Sequence, residues 1–413
     1  MNGSNSCASR RTFLKTAGLG AATMGLAAAA RAEDKKIQGF GQTDAGKLKN
    51  KAWRPVSDRK IRVGIVGYGV CRFGAAFGFQ NHPNVEVAAV SDLFPDRCAN
   101  LARACRCKKT YPSLEEMVKD DSIEAIFLAT DAPSHARHAM LCMNSGKHVG
   151  CAVPAVFGSL ADAEKLYETV KKTGRKYMMF ETSAYRADNY AMRVAYRAGA
   201  FGKLIYSEGQ YYHYFATPLA SYKKWRTGPP PLWYPTHSTA YYVAVTGGSF
   251  TYVSAQGFKG KIAQFQPDAN RYKNPFDSEI ALFRTSEGGA SRMSVCKGMR
   301  GSHGETGRVH GELGHMVGTT FEPGGGRKKL PNLSKPKLPP GMPAGGHGGS
   351  HGYLTEEFVI AILQKRNPLI DIAWSLNMTV PGVVAHQSAL KDGELLKVPQ
   401  YTSPTKVLHK AVR

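Results

Sequence analysis

A glycine-rich turn near residue 67 has the spacing of a phosphate-binding loop. It reads Gly67-Tyr-Gly-Val-Cys-Arg-Phe-Gly74 and follows the apolar segment 61–66, which is predicted to be a strand. Glycines in this position permit a tight turn and let the backbone approach a pyrophosphate at the start of the next helix. The residues of this turn that are predicted to contact a dinucleotide are Gly67, Gly69, Val70, Cys71 and Arg72.

An acidic residue at the end of the next predicted strand indicates which dinucleotide is bound. Asp92 ends the segment Val90-Ser-Asp92 and lies 18 residues beyond Gly74. A carboxylate at this place accepts both ribose hydroxyls of the adenosine half and repels a 2′-phosphate. The sequence therefore predicts NAD as the cofactor rather than NADP.

The pattern of strands and helices predicts the fold that positions these residues. Apolar strands alternate with helices from residue 60 to 180, which is typical of a parallel sheet covered on both faces. Half-exposed segments such as 203–213 and 250–256 follow, and these favour an antiparallel sheet. The predicted fold class is α/β: an N-terminal Rossmann domain over 60–180 and a C-terminal α/β domain over 181–413 with a largely antiparallel open sheet.

The N-terminus has the pattern of an export signal. Residues 9–15 read Ser-Arg-Arg-Thr-Phe-Leu-Lys, an apolar run continues to Ala30, and Ala30-Arg-Ala32 is a small-x-small cleavage site. These features predict a twin-arginine signal peptide over 1–32, an extended arm over 33–59 and a periplasmic protein. The apolar run of about 15 residues is short for a bilayer-spanning helix of about 20, so no stable membrane insertion is expected, although retention as an N-terminal anchor stays open.

Composition narrows the classes of partner. The formal charge is +24, and removal of residues 1–32 takes away four basic residues and no acid, leaving +20. Such a charge attracts polyanions, yet the chain carries no nucleic-acid-binding motif. Acidic glycans or an anionic envelope surface are therefore favoured as partners, and a basic surface selected only for solubility stays open. The eight cysteines show neither zinc-ligand spacing nor a disulfide framework.

With this order of motifs, the chain resembles the glucose–fructose oxidoreductase / inositol dehydrogenase (Gfo/Idh/MocA) family over nearly all of residues 60–400. The segment Thr130-Asp-Ala-Pro-Ser-His135 is similar to the family loop near the nicotinamide ribose, and Gly146-Lys-His-Val149 follows as it does in the family. The resemblance implies cofactor contacts from Thr130, Pro133 and His135, an enzyme that acts on a small carbohydrate, and a homo-oligomer, either a dimer or a tetramer.

The catalytic turn of the family is altered in this chain. Most members have Glu-Lys-Pro after the Gly-Lys-His-Val segment, and the lysine assists proton transfer at the substrate hydroxyl. Here Ala152, Val153 and Pro154 occupy these positions, where the resemblance implies contact with the cofactor and a cis bond before the proline. Valine cannot act as a base, so the proton chemistry is expected to come from the second domain.

The second domain is similar to the NAD-dependent glycoside hydrolases of family 109. The similarity lies in Tyr177-Met-Met-Phe-Glu-Thr-Ser-Ala-Tyr185, in 202–209 and in Tyr234-Pro-Thr-His237. It implies catalytic roles for Tyr185, Tyr234 and His237, whereas both tyrosines could equally be packing residues. Residues 228–242 contain no Asp or Glu, so the acidic partner that many family dehydrogenases place beside the active-site histidine is expected to be missing.

The Gly/Pro-rich segment 323–352 is predicted to be a long surface loop. It contains Gly346-His-Gly-Gly-Ser-His351, which in a glycine-rich loop favours a flexible cover over a cleft more than a metal site, so no metal is predicted. Three functions stay open for the chain: a sugar oxidoreductase with tightly held NAD, a glycoside hydrolase that uses NAD catalytically, and a sugar-binding relative without activity. Because free NAD is not expected outside the cytoplasm, a redox-neutral reaction is favoured.

Overall fold

Six parallel strands form the first sheet, in the order β3-β2-β1-β4-β5-β6. The computed structural model describes residues 53–301, 303–324, 330 and 332–404; the predicted signal peptide and most of the predicted arm lie outside them. The strands are β1 (Ile61–Val66), β2 (Val85–Ser91), β3 (Thr110–Tyr111), β4 (Ala125–Leu128), β5 (His148–Cys151) and β6 (Tyr177–Met179).

Helices cover both faces of this sheet, which is why its strands are apolar on both sides. They are α1 (Phe73–Ala76), α2 (Pro95–Ala104), α3 (Leu114–Met117), α4 (His135–Asn144) and α5 (Leu160–Thr173). Helix α1 is short because Gly78 has a φ of 78° and separates it from a 3-10 turn at Phe79–Asn81. This left-handed conformation cannot continue an α-helix.

Eight strands form the second sheet, and they are antiparallel except for one parallel pair, β7 with β10. The order is β13-β12-β11-β7-β10-β9-β8-β14. The predicted fold class, a Rossmann domain followed by a largely antiparallel open sheet, is confirmed. The strands are β7 (Leu204–Tyr212), β8 (Phe250–Phe258), β9 (Ser278–Thr285), β10 (Ala290–Cys296), β11 (Gly304–Gly311), β12 (Gly314–Val317), β13 (Thr320–Pro323) and β14 (Leu396–Lys397).

The described residues after β6 include five further helices. No helix in the described parts of the chain combines the length and apolarity that crossing a membrane requires. The helices are α6 (Ala187–Arg197), α7 (Thr236–Thr246), α8 (Gly346–Gly349), α9 (His351–Leu363) and α10 (Ile372–Ala389).

Two facing glycines let helix α7 lie directly on the second sheet. Gly209 in β7 and Gly307 in β11 are register partners. A Cβ on Gly209 would lie 1.9 Å from the carbonyl oxygen of Ser238, and a Cβ on Gly307 would lie 2.2 Å from the ring of Tyr241. A side chain at either position would therefore push α7 away. The glycine pair fixes the depth of α7, whose first turn carries His237.

Candidate active site

A cavity of about 390 Å³ lies at the carboxyl end of the first sheet, and we refer to it as the cofactor cavity. Ligands of doubly wound folds bind at this edge, where the strand order reverses. The cavity is lined by residues 66–73, 91–94 and 129–135 and by Ala152 and Val153. It therefore collects every residue that the sequence predicts for cofactor binding except Pro154.

The glycines of the turn have separate structural roles. Gly67 has a φ of 101°, and a Cβ there would lie 2.4 Å from the carbonyl oxygen of Ala129. A Cβ on Gly74 would lie 2.4 Å from the carbonyl oxygen of Gly67, so Gly74 permits the close packing of α1 on the turn although Arg72 holds the usual third position. Gly69 has no atom within 4 Å of its Cβ position, so its backbone is open to the cavity.

Asp92 is held at the edge of the cofactor cavity by the backbone. Its Oδ2 accepts a hydrogen bond from the N–H of Tyr68 at 2.7 Å, and its Oδ1 accepts one from the N–H of Phe94 at 2.9 Å. Each carboxylate oxygen can accept a further bond, so the group remains able to bind two ribose hydroxyls. These residues fit the adenosine and pyrophosphate parts of NAD.

His135 ties the two loops of the cofactor cavity together. Its Nδ1 donates to the carbonyl oxygen of Pro154 at 2.8 Å, and its Nε2 lies 3.2 Å from that of Thr130. Burial lowers the pKa of His135, so the ring is neutral. The Val153–Pro154 bond is cis, and Pro154 does not line the cavity but contacts His135, which does.

A second cavity of about 490 Å³ adjoins the first, and we call it the His237 cavity. Its walls include Thr182, Tyr211, His213, Phe215, His237, Gln264, Lys297, Glu305 and His347. The residues that line both cavities are Cys71, Phe73, Ala152, Val153, Trp225, Arg226 and Tyr234. The altered turn at Ala152 and Val153 therefore lies where the cofactor cavity and the His237 cavity meet.

His237 is held in one orientation by a buried carboxylate. Its Nδ1 lies 2.8 Å from Oε1 of Glu181, which is fully buried and also accepts the N–H of Ser183 at 2.8 Å. Because Glu181 binds Nδ1–H, the Nε2 of His237 is left as the acceptor for a ligand in the cavity. Burial alone lowers the pKa of His237, but Glu181 and Glu305 outweigh this effect and the pKa is raised above its ordinary value.

Two carboxylates thus serve His237, and the expectation that its acidic partner is missing is wrong. Glu305 lies 4.0 Å from Nδ1 of His237 and accepts the hydroxyl of Ser183 at 2.6 Å. Burial raises the pKa of Glu305, but the charge of His237 and the bond from Ser183 lower it further than burial raises it. Both acids come from chain segments far from residues 228–242, so a local search could not find them.

Tyr234 lies beside His237. Its ring centroid is 5.6 Å from that of His237, and Tyr234 lines both cavities. A second tyrosine, Tyr211, packs edge-on against His237 with the ring centroids 4.8 Å apart. Burial raises the pKa of both phenols, so both hydroxyls are protonated at neutral pH.

Tyr185 lies outside this group. It is fully buried and lines neither of the two cavities. Its ring stacks on Tyr353 at 6.3 Å and lies 5.1 Å from the guanidinium carbon of Arg193. The structure therefore gives Tyr185 a packing position. Tyr211, rather than Tyr185, packs beside His237.

The predicted loop over 323–352 contributes His347 to the lining of the His237 cavity. The Nδ1 of His347 lies 2.8 Å from Nε2 of His351. In the described parts of the chain, no group of three or more His, Cys, Asp or Glu side chains has an arrangement that could hold a metal ion. The two histidines bind each other instead.

Lys297 is a cavity residue that the sequence gives little reason to select. It directly follows strand β10, is 8% exposed and lines the His237 cavity. Burial lowers the pKa of Lys297 to about 7, and the charge of Arg226 contributes to the shift. The only signal is a lysine at the end of a buried strand, which is also common on protein surfaces.

The fold and the paired cavities define a two-sheet protein with a dinucleotide-binding domain. Residues 61–181 match the family model of the Gfo/Idh/MocA oxidoreductase family, described as having an NAD-binding Rossmann fold. This match over residues 61–181 confirms the predicted resemblance of the Rossmann domain to that family and the predicted cofactor, NAD.

Curated relatives carry the name of a glycoside hydrolase family. The chain is 29% identical over 162 residues to glycosyl hydrolase family 109 protein 1 of Bacteroides fragilis, a match that covers 37% of this chain and 35% of the relative. It is 24% identical over 443 aligned residues to a glycosyl hydrolase family 109 protein of Solibacter usitatus, which covers 95% and 97% of the two chains. The match to the Bacteroides fragilis protein thus covers about a third of the length of that relative.

Solved structures with the same fold include sugar dehydrogenases. A levoglucosan dehydrogenase in complex with NADH and levoglucosan has a TM-score of 0.66 and 17% identity, and the match covers 83% of this chain and all of that one. A scyllo-inositol dehydrogenase of Lactobacillus casei has a TM-score of 0.64 and 14% identity, with 83% and 99% coverage. These likenesses show a shared fold.

Removal of the Asp92 carboxylate is expected to weaken NAD binding and to relax discrimination against NADP. A charge-assisted hydrogen bond contributes about 1–3 kcal/mol, so Asp92→Ala should raise the dissociation constant of NAD by about 10- to 100-fold. Titration of the cofactor-free protein with NAD and NADP measures both effects. Asp92→Asn is the matched variant because it removes the charge but keeps one oxygen for one of the two backbone N–H groups; unchanged cofactor preference in both variants would contradict the assignment.

Proposed function

We propose that this protein is an NAD-dependent enzyme that transfers hydride at a carbon of a carbohydrate, in a reaction that is redox-neutral overall. The observation that carries the proposal is that Ala152 and Val153 line both cavities. On one side lie the residues that fit NAD, and on the other lies His237 with its two carboxylates. A sugar in the His237 cavity is therefore close to the part of the cofactor cavity that Ala152 and Val153 line.

NAD, when bound, supplies the acceptor and donor of hydride. His237 accepts the proton of the substrate hydroxyl through Nε2, since Nδ1 is bound to Glu181. Glu181 and Glu305 stabilise the imidazolium that results. Thr182 also lines this cavity, and its buried Oγ1 has no hydrogen-bond partner among the described residues.

The expected export through the twin-arginine route supports a redox-neutral reaction. A cofactor loaded in the cytoplasm and retained in the protein must return to its starting state in each cycle. Oxidation of one sugar with reduction of another meets this condition.

Net glycoside hydrolysis is a second candidate that meets the same condition. Here a transient ketone acidifies the neighbouring C–H, the anomeric substituent is expelled, water adds to the double bond and the ketone is reduced again. Two observations favour this candidate: valine replaces the usual lysine at position 153, and the relative that aligns over nearly the whole chain bears the name of glycoside hydrolase family 109.

Solvent exchange at the sugar distinguishes the two candidates. The NAD-containing protein would be incubated in D₂O with a panel of aryl glycosides and free sugars, and the products followed by NMR. Hydrolysis by the transient ketone route places deuterium on the carbon next to the anomeric centre, whereas sugar oxidoreduction leaves that position unlabelled and yields an oxidised and a reduced sugar. A sample that retains NAD but converts no substrate would instead support the sugar-binding alternative.

A further inference from the structure

The side chain of Lys297 projects into the His237 cavity between aromatic rings. Its Nζ lies 3.7 Å from the ring centroid of Tyr211 and 5.2 Å from that of Phe215. The face of an aromatic ring attracts a cation, most strongly where water is excluded. The rings therefore hold the amino group at the cavity wall, one ring away from His237, which packs on Tyr211.

Lys297 has no ion-pair or hydrogen-bond partner for its amino group among the described residues. Glu305, the carboxylate whose charge acts on it, is engaged by Ser183 and His237. Arg226 lines the same cavity and likewise has no carboxylate partner among the described residues; its guanidinium lies over the ring of Trp225 at 4.2 Å. Two cationic side chains thus line one cavity, and the carboxylate among its described lining residues, Glu305, is bound to Ser183 and lies beside His237.

A buried ammonium without a counterion is costly, because the interior replaces little of its hydration. This cost of burial is the reason that the pKa of Lys297 is lowered to about 7. A ligand with a negative group would remove this cost, because it would supply a counterion for the amino group of Lys297 and the guanidinium of Arg226. Such a ligand would make charge-assisted hydrogen bonds in a cavity of low dielectric, where they are strongest.

We infer that the carbohydrate bound in the His237 cavity carries an acidic group, a carboxylate or a sulfate, and that Lys297 binds this group with Arg226 beside it. The inference rests on the proposed function for the presence of a sugar in this cavity. The competing role for Lys297 is that of an acid–base group, a replacement for the lysine that position 153 lacks.

Matched pairs of neutral and acidic ligands test the inference by binding alone. The NAD-containing protein would be titrated by calorimetry with methyl glucoside and methyl glucuronide, with methyl galactoside and methyl galacturonide, and with N-acetylglucosamine and its 6-sulfate. At least one acidic ligand should bind about 10- to 100-fold more tightly than its neutral partner. The uronides and the sulfate distinguish the two acidic groups.

Variants of Lys297 show whether that preference arises in the cavity. Lys297→Met should abolish it and Lys297→Arg should keep much of it, whereas Lys259→Met, which removes an exposed charge outside the cavity, should leave it intact. The inference would be overturned if no acidic ligand bound more tightly than its partner, or if Lys297→Met lowered turnover of neutral and acidic substrates equally without changing the preference. Because binding needs no turnover, an inactive protein with an intact acid preference would contradict only the proposed function.

Discussion

Replacement of His237 with asparagine is expected to lower turnover by about 10²- to 10⁴-fold while NAD stays bound. General acid–base groups contribute by this order because proton transfer from the hydroxyl then has no acceptor within hydrogen-bond reach. Asparagine is preferred to alanine because its amide can still donate to Glu181, so the buried carboxylate keeps a partner. Turnover and the NAD content of the denatured protein are the two measurements.

Tyr185→Phe is the control for this experiment. Tyr185 lies in the same domain but packs between Tyr353 and Arg193, outside both cavities. Loss of its hydroxyl should change stability more than chemistry, so its turnover should stay close to that of the parent protein. If Tyr185→Phe were inactive and His237→Asn active, the site proposed around His237 would be refuted.

The fold could be predicted from the sequence because its signals are local. Apolar strands that alternate with helices specify the parallel sheet, and the position of Gly67 after β1 specifies where the dinucleotide binds. Asp92 was accessible in the same way, since the end of the second strand of a Rossmann fold is a fixed place. Each of these inferences uses residues that are neighbours in the chain or one supersecondary unit apart.

The carboxylates and the lysine of the His237 cavity depend instead on tertiary packing. Glu181 follows β6, and His237 lies in the first turn of α7. Glu305 lies in β11 and Lys297 follows β10. The pairing of β7 with β10 and with β11 brings these two residues near Tyr211. A signal for Glu181 did exist: it is the one acid in the buried segment 177–185. A buried acid needs a partner, which could have directed attention to it.

The family resemblance implied catalytic roles for Tyr185, Tyr234 and His237, of which the last two line the His237 cavity and Tyr185 does not. A motif transfers the position of a residue in the chain, and it does not fix the direction of the side chain. Tyr185 belongs to the 3-10 turn at Thr182–Tyr185, in which Thr182 lines the cavity and Tyr185 does not. Tyr211 lies beside His237 instead. It belongs to β7, where the alternation of side chains between the two faces gave no reason to prefer one tyrosine over the next.

Glu181 is expected to determine both the orientation and the pKa of His237, and two substitutions separate these effects. In Glu181→Gln the side-chain oxygen should stay where Oε1 is, because that atom accepts both the N–H of Ser183 and Nδ1–H of His237. The tautomer is then kept and only the charge is lost. In Glu181→Leu the acceptor is lost too, so the imidazole can turn or change tautomer, and turnover should fall by roughly 10²- to 10⁴-fold.

The pH profile of Glu181→Gln gives the sharper test. His237 must be neutral to accept a proton, so turnover should rise with pH through the pKa of His237, which lies above its ordinary value because Glu181 and Glu305 together outweigh burial. Loss of one carboxylate lowers that pKa, so His237 stays neutral to a lower pH and the acidic limb should move down by about 1–2 pH units. The other ionisable groups close to His237, namely Glu305, Lys297 and His347, are unchanged in this variant and provide the same background in both profiles. An acidic limb that stayed in place in Glu181→Gln, together with full activity in a folded Glu181→Leu protein, would show that Glu181 only supports the packing of α7.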